Sequence, residues 1–341
     1  FKNIIYSIVI AMVLFLAIGV FLPNNVHVER RVEIQRPAAT VFAVLNSYRS
    51  FPSWSPWSRR DPSAVYELSG PERGLGARMS WSGDPRLVGS GWQEITASRP
   101  NSLVRMHLEF EQQGSADSYF QLDETPNGVV LAWGFDADLS EGQGWLGGLL
   151  ARYFGLFFDS WIGSDYEAGL IRLKSLLESL PEADFSDLDV EVIDVEGQTI
   201  LYVRSSASRE SNDLGSSLAN AYQEISAFMK ANDIEMAAQP LAITRIHDDN
   251  RYEVEAAIPV SLDGPRPLPE AETAGRVRFG QSPAGRAVRV IHHGPYDRMA
   301  PLYEKLAAWM AAHGVREGRV SWEQYISDPG ETVEEELVTH I

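Results

Sequence analysis

The sequence contains no cysteine among its 341 residues. This absence excludes disulfide bonds, thiolate nucleophiles, and metal centres held by cysteine sulfur, such as thiolate zinc sites and iron–sulfur clusters. It also leaves the compartment undefined, because cysteine usage is what would have indicated an oxidising or a reducing environment. Any chemistry must come from carboxylates, phenols, imidazoles and hydroxyls.

Positive charge is also scarce. Lys and Arg number 29 against 47 Asp and Glu, so the formal net charge is -18. The deficit is uneven: residues 25–180 hold 14 basic and 19 acidic residues, a net of -5, whereas residues 181–341 hold 14 and 28, a net of -14. Because nucleic-acid binding depends on Lys and Arg that neutralise phosphates, we expect no nucleic-acid partner.

Motifs for metal, nucleotide or cofactor binding are missing as well. None of the seven histidines occurs in an HExxH arrangement, and the adjacent His292 and His293 would face opposite sides of a strand. The glycine-rich stretch 144–148 has no P-loop Lys-Ser/Thr, and Ser282 lies in no G-x-S-x-G motif. We therefore expect no metal site and no cofactor.

The first residues contain a long uncharged run. Residues 4–22 comprise 19 residues without a charge, and as a helix they would extend roughly 30 Å, the thickness of a bilayer core. A cleaved signal peptide is the alternative, although its apolar stretch would be shorter and would end in small residues. The sequence predicts a single-pass transmembrane anchor over 1–24 in a bacterial inner membrane, with the folded part in the periplasm.

Residues 25–180 show the pattern of an α+β domain. A strand-like segment at 26–34 precedes a Pro-led helix over 36–45, and five strand-like segments within 65–139 are separated by turn signals, as in an antiparallel meander. Apolar residues then recur at helical spacing over 145–180, which predicts one long amphipathic helix. The sheet and this helix would bury each other's apolar faces.

Two strings in this region are distinctive: the loop Phe51-Pro-Ser-Trp-Ser-Pro-Trp57, and Phe158-Asp-Ser-Trp-Ile-Gly-Ser-Asp-Tyr-Glu-Ala-Gly-Leu-Ile-Arg-Leu-Lys174 near the end of the long helix. With the order of elements, they make residues 25–179 resemble the START/polyketide-cyclase (SRPBCC) superfamily. The resemblance implies a helix-grip fold, whose curved antiparallel sheet wraps the long C-terminal helix around an apolar cavity for lipids, polyketides or other hydrophobic molecules. It implies no particular reaction. The candidate cavity residues are Trp54, Trp57, Trp81 and Trp133, for which core packing is the alternative role.

An acidic linker over 181–189 precedes a second domain, 190–341, that partly repeats itself. Residues 221–235 align with residues 302–316 at an offset of 81 positions, and each copy has apolar residues on one helical face. Strand-like segments flank both helices, at 199–204 and 241–246 around the first and at 287–292 and 319–326 around the second. The pattern predicts a duplicated strand-helix-strand unit with both helices on one face of a sheet.

The second copy carries the more specific pattern. Its strings are His293-Gly-Pro-Tyr296, Trp309-Met-Ala-Ala-His-Gly314, Trp322-Glu-Gln-Tyr-Ile-Ser-Asp-Pro329 and Glu334-Glu-Glu-Leu-Val-Thr-His340. Through them, residues 188–341 closely resemble the GyrI-like family of small-molecule-binding modules, which also serve as effector domains of AraC-type and multidrug-responsive regulators. The resemblance implies a pocket between two pseudo-symmetric halves, with Glu323 at its floor among aromatic side chains, where it can receive lipophilic cations.

Alternation along a strand at 319–327 places Glu323 and Tyr325 on one face and Trp322 on the other. The position 81 residues before Glu323 is Ala242, so only the second copy of the repeat carries a charge at this position. A carboxylate would attract a desolvated cation, and aromatic faces add cation–π attraction. The candidate ligand-binding residues are Glu323, Tyr325, Trp322, Tyr296, His293, Tyr222 and Trp309; a solvated strand position is the alternative for Glu323.

These patterns favour a membrane-anchored binding protein, acting as a sensor, carrier or scavenger of hydrophobic small molecules, cations among them. Two alternatives remain open. A hydrolase or cyclase would act on a lipophilic molecule with Glu323 as the general base, which requires a carboxylate with a pKa raised by burial. An envelope adaptor would instead use the pockets to dock a protein partner.

Overall fold

The computed structural model describes residues 2–111, 114–140, 144–208, 214–248, 251–261 and 275–341. Contacts between residues divide the chain into two compact units. The first comprises residues 1–186 and 307–315, and the second comprises residues 187–306 and 316–341.

Up to residue 186, the described residues form five helices and seven strands. The helices are α1 (Lys2–Phe21), α2 (Ala38–Leu45), α3 (Phe51–Trp54), α4 (Pro56–Arg60) and α5 (Trp145–Glu178). The strands are β1 (Asn25–Ile34), β2 (Val65–Ser69), β3 (Arg78–Ser82), β4 (Ser90–Arg99), β5 (Leu103–Phe110), β6 (Gly114–Thr125) and β7 (Gly128–Asp138).

The seven strands form one antiparallel sheet in the order β1-β7-β6-β5-β4-β3-β2. Strands β2 to β7 pair each with the next, as a meander does, and β1 returns to pair with β7 from Asn25↔Asp138 to Ile34↔Val129. The long helix α5 packs along β1 and contacts α2, α3 and α4. The predicted meander and the predicted long helix are both present.

The second half of α5 supplies the face that packs on the sheet. Tyr166, Leu170, Leu173 and Leu177 recur at helical spacing and are all almost completely buried. Burial of each leucine side chain contributes about 2 kcal/mol to the free energy of unfolding. Gly169 permits the close approach of the sheet, because a Cβ there would lie 2.8 Å from the Trp133 ring.

Helix α1 is formed by the uncharged run at the start of the chain. It contacts α5, and the rings of Phe15 and Tyr153 stack with their centroids 4.1 Å apart. Within the described ranges, no helix combines the length and the apolar character needed to cross a membrane. The transmembrane anchor predicted over 1–24 is therefore not supported by the structure.

From residue 187 onward, the described residues form two α-helices and ten strands, besides two short 3-10 helices at Tyr296–Arg298 and Glu334–Glu336. The helices are α6 (Leu214–Asn232) and α7 (Ala300–Ala312). The strands are β8 (Glu191–Val195), β9 (Thr199–Ser208), β10 (Glu235–Met236), β11 (Leu241–Asp248), β12 (Arg251–Ser261), β13 (Arg278–Gln281), β14 (Gly285–Arg289), β15 (Ile291–His293), β16 (Val320–Tyr325) and β17 (Val338–His340).

Eight of these strands form the main sheet of the second unit. Its order is β13-β9-β12-β11-β16-β17-β15, with β10 paired to β12, and β8 and β14 pair separately. The predicted repeat is recognisable as β9-α6-β11 and β15-α7-β16, but the strand expected over 287–292 is divided between β14 and β15, which belong to different sheets. The two faces of the main sheet are packed differently. Leu201, Val203 and Ala256 lie under α6, whereas Ile200, Leu241 and Ile243 form a smaller cluster on the opposite face.

Candidate ligand-binding site

Glu323 lies at the point where the two halves of the repeat meet. It is the direct register partner of Ala242 on the neighbouring strand β11. The two residues are also 81 positions apart, which is the offset of the internal repeat. The pseudo-twofold axis of the duplicated unit therefore passes between Ala242 and Glu323, and only one side of the axis carries a charge.

Each helix of the repeat places one tyrosine over this axis. Tyr222 on α6 and Tyr303 on α7 are also 81 positions apart. The Tyr303 hydroxyl donates to Glu323 Oε1 at 2.6 Å, whereas the Tyr222 hydroxyl donates to the carbonyl oxygen of Leu241 at 2.8 Å. Both helices thus approach the same face of the sheet, as the repeat predicts.

Two further tyrosines complete an aromatic enclosure around the carboxylate. The Tyr325 hydroxyl donates to Glu323 Oε2 at 2.7 Å, so each carboxylate oxygen accepts one hydrogen bond from a phenol. The Tyr325 ring stands edge-on to Tyr222 and Tyr296, with centroid distances of 6.3 and 5.4 Å. We call Glu323 with Tyr222, Tyr296, Tyr303 and Tyr325 the tyrosine pocket.

The electrostatics of the tyrosine pocket keep its phenols protonated. Burial, followed by the negative charge of Glu323, raises the pKa of Tyr222, Tyr303 and Tyr325 far above the usual range for tyrosine. The pKa of Tyr296 is raised for the same two reasons, burial first. The phenols therefore stay protonated well into the alkaline range, where Tyr303 and Tyr325 can still donate hydrogen bonds to the carboxylate.

The carboxylate of the tyrosine pocket has no basic partner in the described residues. The ion pairs of the second unit occur elsewhere, for example Arg204 with Glu255 and Arg298 with Glu335. Glu323 itself is half-buried, and Tyr303 remains 38% exposed, so the carboxylate and its phenol partner are both partly accessible to solvent. An anionic oxygen pair surrounded by neutral aromatic rings is suited to a cation with an apolar body.

Comparisons with protein-family profiles cover nearly all of the chain. Residues 188–341 match the profile described as a GyrI-like small molecule binding domain. Residues 25–178 match the one described as polyketide cyclase / dehydrase and lipid transport. The chain joins an SRPBCC domain to a GyrI-like domain. The family resemblance drawn from the sequence motifs is confirmed, in the predicted order.

Solved structures resemble single parts of this two-domain chain at low identity. The C-terminal domain of EcmrR is 21% identical over 45% of this chain and 94% of that one, with a TM-score of 0.38. Protein CV1439 from Chromobacterium violaceum is 13% identical over 46% and 99%, with a TM-score of 0.33. The Aha1 dimer from Colwellia psychrerythraea is 16% identical over 45% and 97%, with a TM-score of 0.32. A search of curated proteins finds no match. These likenesses are too distant to transfer a ligand or an activity.

The GyrI-like domain does not bring all of the candidate ligand-binding residues together. Trp322 packs against Ile243 and its neighbours on the opposite face of the sheet, as strand alternation requires. His293 is exposed on the short strand β15. Trp309 stacks on His313, which directly follows the end of α7, with centroids 4.1 Å apart. Glu323, Tyr325, Tyr296 and Tyr222 are the candidates that do lie together.

Tyr303 is the residue of this group that the motif analysis did not select. The helical spacing places it on one apolar face with Met299, Leu306 and Met310 and gives it no further role. The internal repeat contained the necessary signal, because its offset aligns Tyr303 with Tyr222, which was selected. Two equivalent tyrosines on symmetry-related helices must face the same axis.

In the SRPBCC domain, three of the four candidate cavity tryptophans pack on one another. The Trp54 and Trp133 centroids are 5.4 Å apart, and those of Trp57 and Trp133 are 5.8 Å apart. Trp133 also stacks on the buried ring of Tyr166 at 3.8 Å. Trp81 lies elsewhere on the sheet, with its nearest ring partner, Phe110, at 5.7 Å. This arrangement agrees better with core packing than with an open cavity wall.

Proposed function

We propose that the protein binds hydrophobic cations in the tyrosine pocket of its GyrI-like domain. The GyrI-like and polyketide-cyclase family matches support binding of small molecules in general. The cationic character of the ligand is our inference from one observation. Both oxygens of Glu323 are held by phenols, Tyr303 at 2.6 Å and Tyr325 at 2.7 Å, and no ion pair within the described residues neutralises the carboxylate.

Three physical terms favour a cation over a neutral or anionic ligand. The carboxylate attracts a positive charge in a half-buried site, where water screens it less than in bulk solvent. The faces of the surrounding tyrosines add cation–π attraction. The net charge of -14 over residues 181–341 raises the local concentration of cations and repels anions.

The same site offers a second candidate function. A hydrolase would use Glu323 to activate water and a tyrosine to donate a proton, and Tyr303 lies within 2.6 Å of the carboxylate. Against this, both carboxylate oxygens already accept a phenol, so a water molecule must compete with Tyr303 or Tyr325 for them. Stable binding without turnover is therefore the outcome that we favour. Under this proposal the protein acts as a sensor, carrier or scavenger.

The test uses two ions that have the same shape and opposite charge. Tetraphenylphosphonium, tetraphenylborate and neutral triphenylphosphine oxide are titrated into the full chain, into Glu323→Gln, and into Glu331→Gln as a control at an exposed carboxylate. We expect saturable binding of the phosphonium by the unmodified protein and the control, and markedly weaker binding by Glu323→Gln. Binding of the borate with equal affinity would contradict a cation site, and conversion of an ester or strained-ring substrate that requires Glu323 would favour hydrolysis.

We also propose a location at the bacterial inner membrane, with the folded domains in the periplasm. Its support is the uncharged run over residues 4–22 alone. Extraction with carbonate after cell fractionation tests membrane attachment, and protease treatment of spheroplasts tests the side. The absence of a nucleic-acid partner likewise stays a prediction from the net charge of -18.

A further inference from the structure

The first half of α5 carries an apolar stripe that the sheet does not cover. Leu150, Phe154, Phe157 and Trp161 are 42%, 60%, 55% and 54% exposed. Their spacing places them on one side of the helix, about 16 Å long at 1.5 Å per residue. Large exposed apolar patches on proteins usually contact another molecule or a membrane. We call these four residues the α5 stripe.

The charged side chains nearest to the α5 stripe are turned away from it and already paired. Arg152 Nη1 lies 3.0 Å from the carbonyl oxygen of Val20 and neutralises the negative C-terminal end of α1. Asp159 accepts a hydrogen bond from Arg30 on β1 at 2.9 Å. The exposed side of this part of α5 is therefore free of charge, which lowers the cost of placing it in an apolar medium.

Helix α1 lies directly beside the α5 stripe. The Tyr153 hydroxyl donates to the carbonyl oxygen of Phe15, and the two rings stack. Gly19 allows this approach, since a Cβ there would lie 2.9 Å from the Tyr153 ring and 3.0 Å from Leu149. The two helices form a close pair, and the exposed surface of one continues into that of the other.

The distribution of apolar side chains around α1 indicates whether protein or lipid covers the α5 stripe. Ile4, Met12, Val13 and Leu14 are all exposed. At 100° per residue they point in directions of about 0°, 80°, 180° and 280° around the helix axis. A second copy of the chain, or another protein, would cover one side of such a helix, whereas lipid can contact every side of a helix that is embedded in one leaflet without crossing the bilayer. A helix that is apolar on all sides belongs in a protein core or in a membrane.

We propose that the α5 stripe contacts a lipid bilayer beside α1, so that the SRPBCC domain lies against the membrane through its long helix. Aromatic side chains such as Phe157 and Trp161 are well suited to the boundary between headgroups and acyl chains. Because the stripe carries no basic residue, the contact does not depend on anionic lipid. The inference concerns the SRPBCC domain and is independent of the tyrosine pocket.

The absence of cysteine makes a direct test possible, since one introduced cysteine gives one label. Phe157→Cys places the label on the stripe, and Phe154→Cys provides a second position on it. Ile171→Cys is the matched control, because Ile171 lies on the same helix and is 64% exposed. Each full-length variant is labelled with an environment-sensitive nitrobenzoxadiazole dye and incorporated into phosphatidylcholine vesicles that contain nitroxide-labelled lipid.

We expect blue-shifted emission and strong quenching by the nitroxide lipid at both stripe positions, and neither effect at the control. Equal, weak quenching at all three positions would overturn the proposal. Disulfide formation between two unlabelled Phe157→Cys chains in the vesicles would overturn it in favour of a second copy of the chain. Circular dichroism of each labelled variant shows whether it has folded before its quenching is interpreted.

Discussion

Replacement of Glu323 by glutamine removes the charge of the tyrosine pocket and keeps its shape. The amide oxygen can still accept one phenol, from Tyr303 or Tyr325. A cation centre about 6 Å from the carboxylate, at an effective dielectric constant of about 20, gains about 3 kcal/mol of attraction, which corresponds to roughly 100-fold in Kd. Because Glu323 is half-buried, water screens part of this attraction. We therefore expect a loss of about 10- to 100-fold for tetraphenylphosphonium.

Isothermal titration calorimetry measures this loss, and Tyr303→Phe separates the charge from its hydrogen bonds. This variant removes the phenol that lies 2.6 Å from Oε1 and leaves the carboxylate in place. Cation binding should then be retained or strengthened, since fewer protein dipoles neutralise the charge. An equal loss in Tyr303→Phe and Glu323→Gln would refute the electrostatic reasoning and would show that the arrangement of hydrogen bonds, rather than the charge, determines affinity.

Three further predictions concern the SRPBCC domain. Trp133→Ala should cost about 3–5 kcal/mol of unfolding free energy, measured by urea denaturation, because a buried aromatic side chain is lost. Gly134→Val should cost about 1–3 kcal/mol in the same assay, since the Tyr119 ring lies where the new side chain would be; no change would show that the ring moves freely. The hydrogen bond that the His107 ring donates to Asp117 raises the pKa of His107, so the contribution of this pair to stability should be full below the ordinary value of 6.5 and lost as the pH rises through the raised value. The difference in thermal midpoint between the unmodified protein and His107→Asn should thus shrink towards alkaline pH, and a growing difference would contradict the assignment.

The parts of the fold that the sequence predicts are those with a clear period. The 34-residue helix α5 carries Leu170, Leu173 and Leu177 at helical spacing, and the helix is present where that spacing places it. The duplication follows from two amphipathic helices with the same spacing of aromatic residues. In the same way, alternation along β16 places Glu323 and Tyr325 on one face, and the two residues do share a hydrogen bond.

An interior strand of the second sheet, β12, was not predicted, and its residues explain why. Strand β12 (Arg251–Ser261) is buried on both faces over residues 254–260, so it lacks the alternation of apolar and polar positions that indicates a strand. Glu255 also interrupts its apolar run, although this residue is 1% exposed. Its burial depends on Arg204 and Arg245, each 2.9 Å from one carboxylate oxygen, and both come from neighbouring strands. Such a partnership across strands depends on tertiary structure and leaves no local pattern.

The placement of Ala242 opposite Glu323 makes the tyrosine pocket directional. Two equal halves would treat both ends of a bound molecule alike. One half of the pocket presents the carboxylate of Glu323 and the other presents the methyl group of Ala242. A compound with one charged end and one apolar end would therefore bind in a single orientation. The internal repeat thus makes the two halves alike in outline, and one amino-acid difference on the axis makes them unlike in charge. By the same reasoning, an acid at both positions, as in Ala242→Glu, would suit two-headed cations.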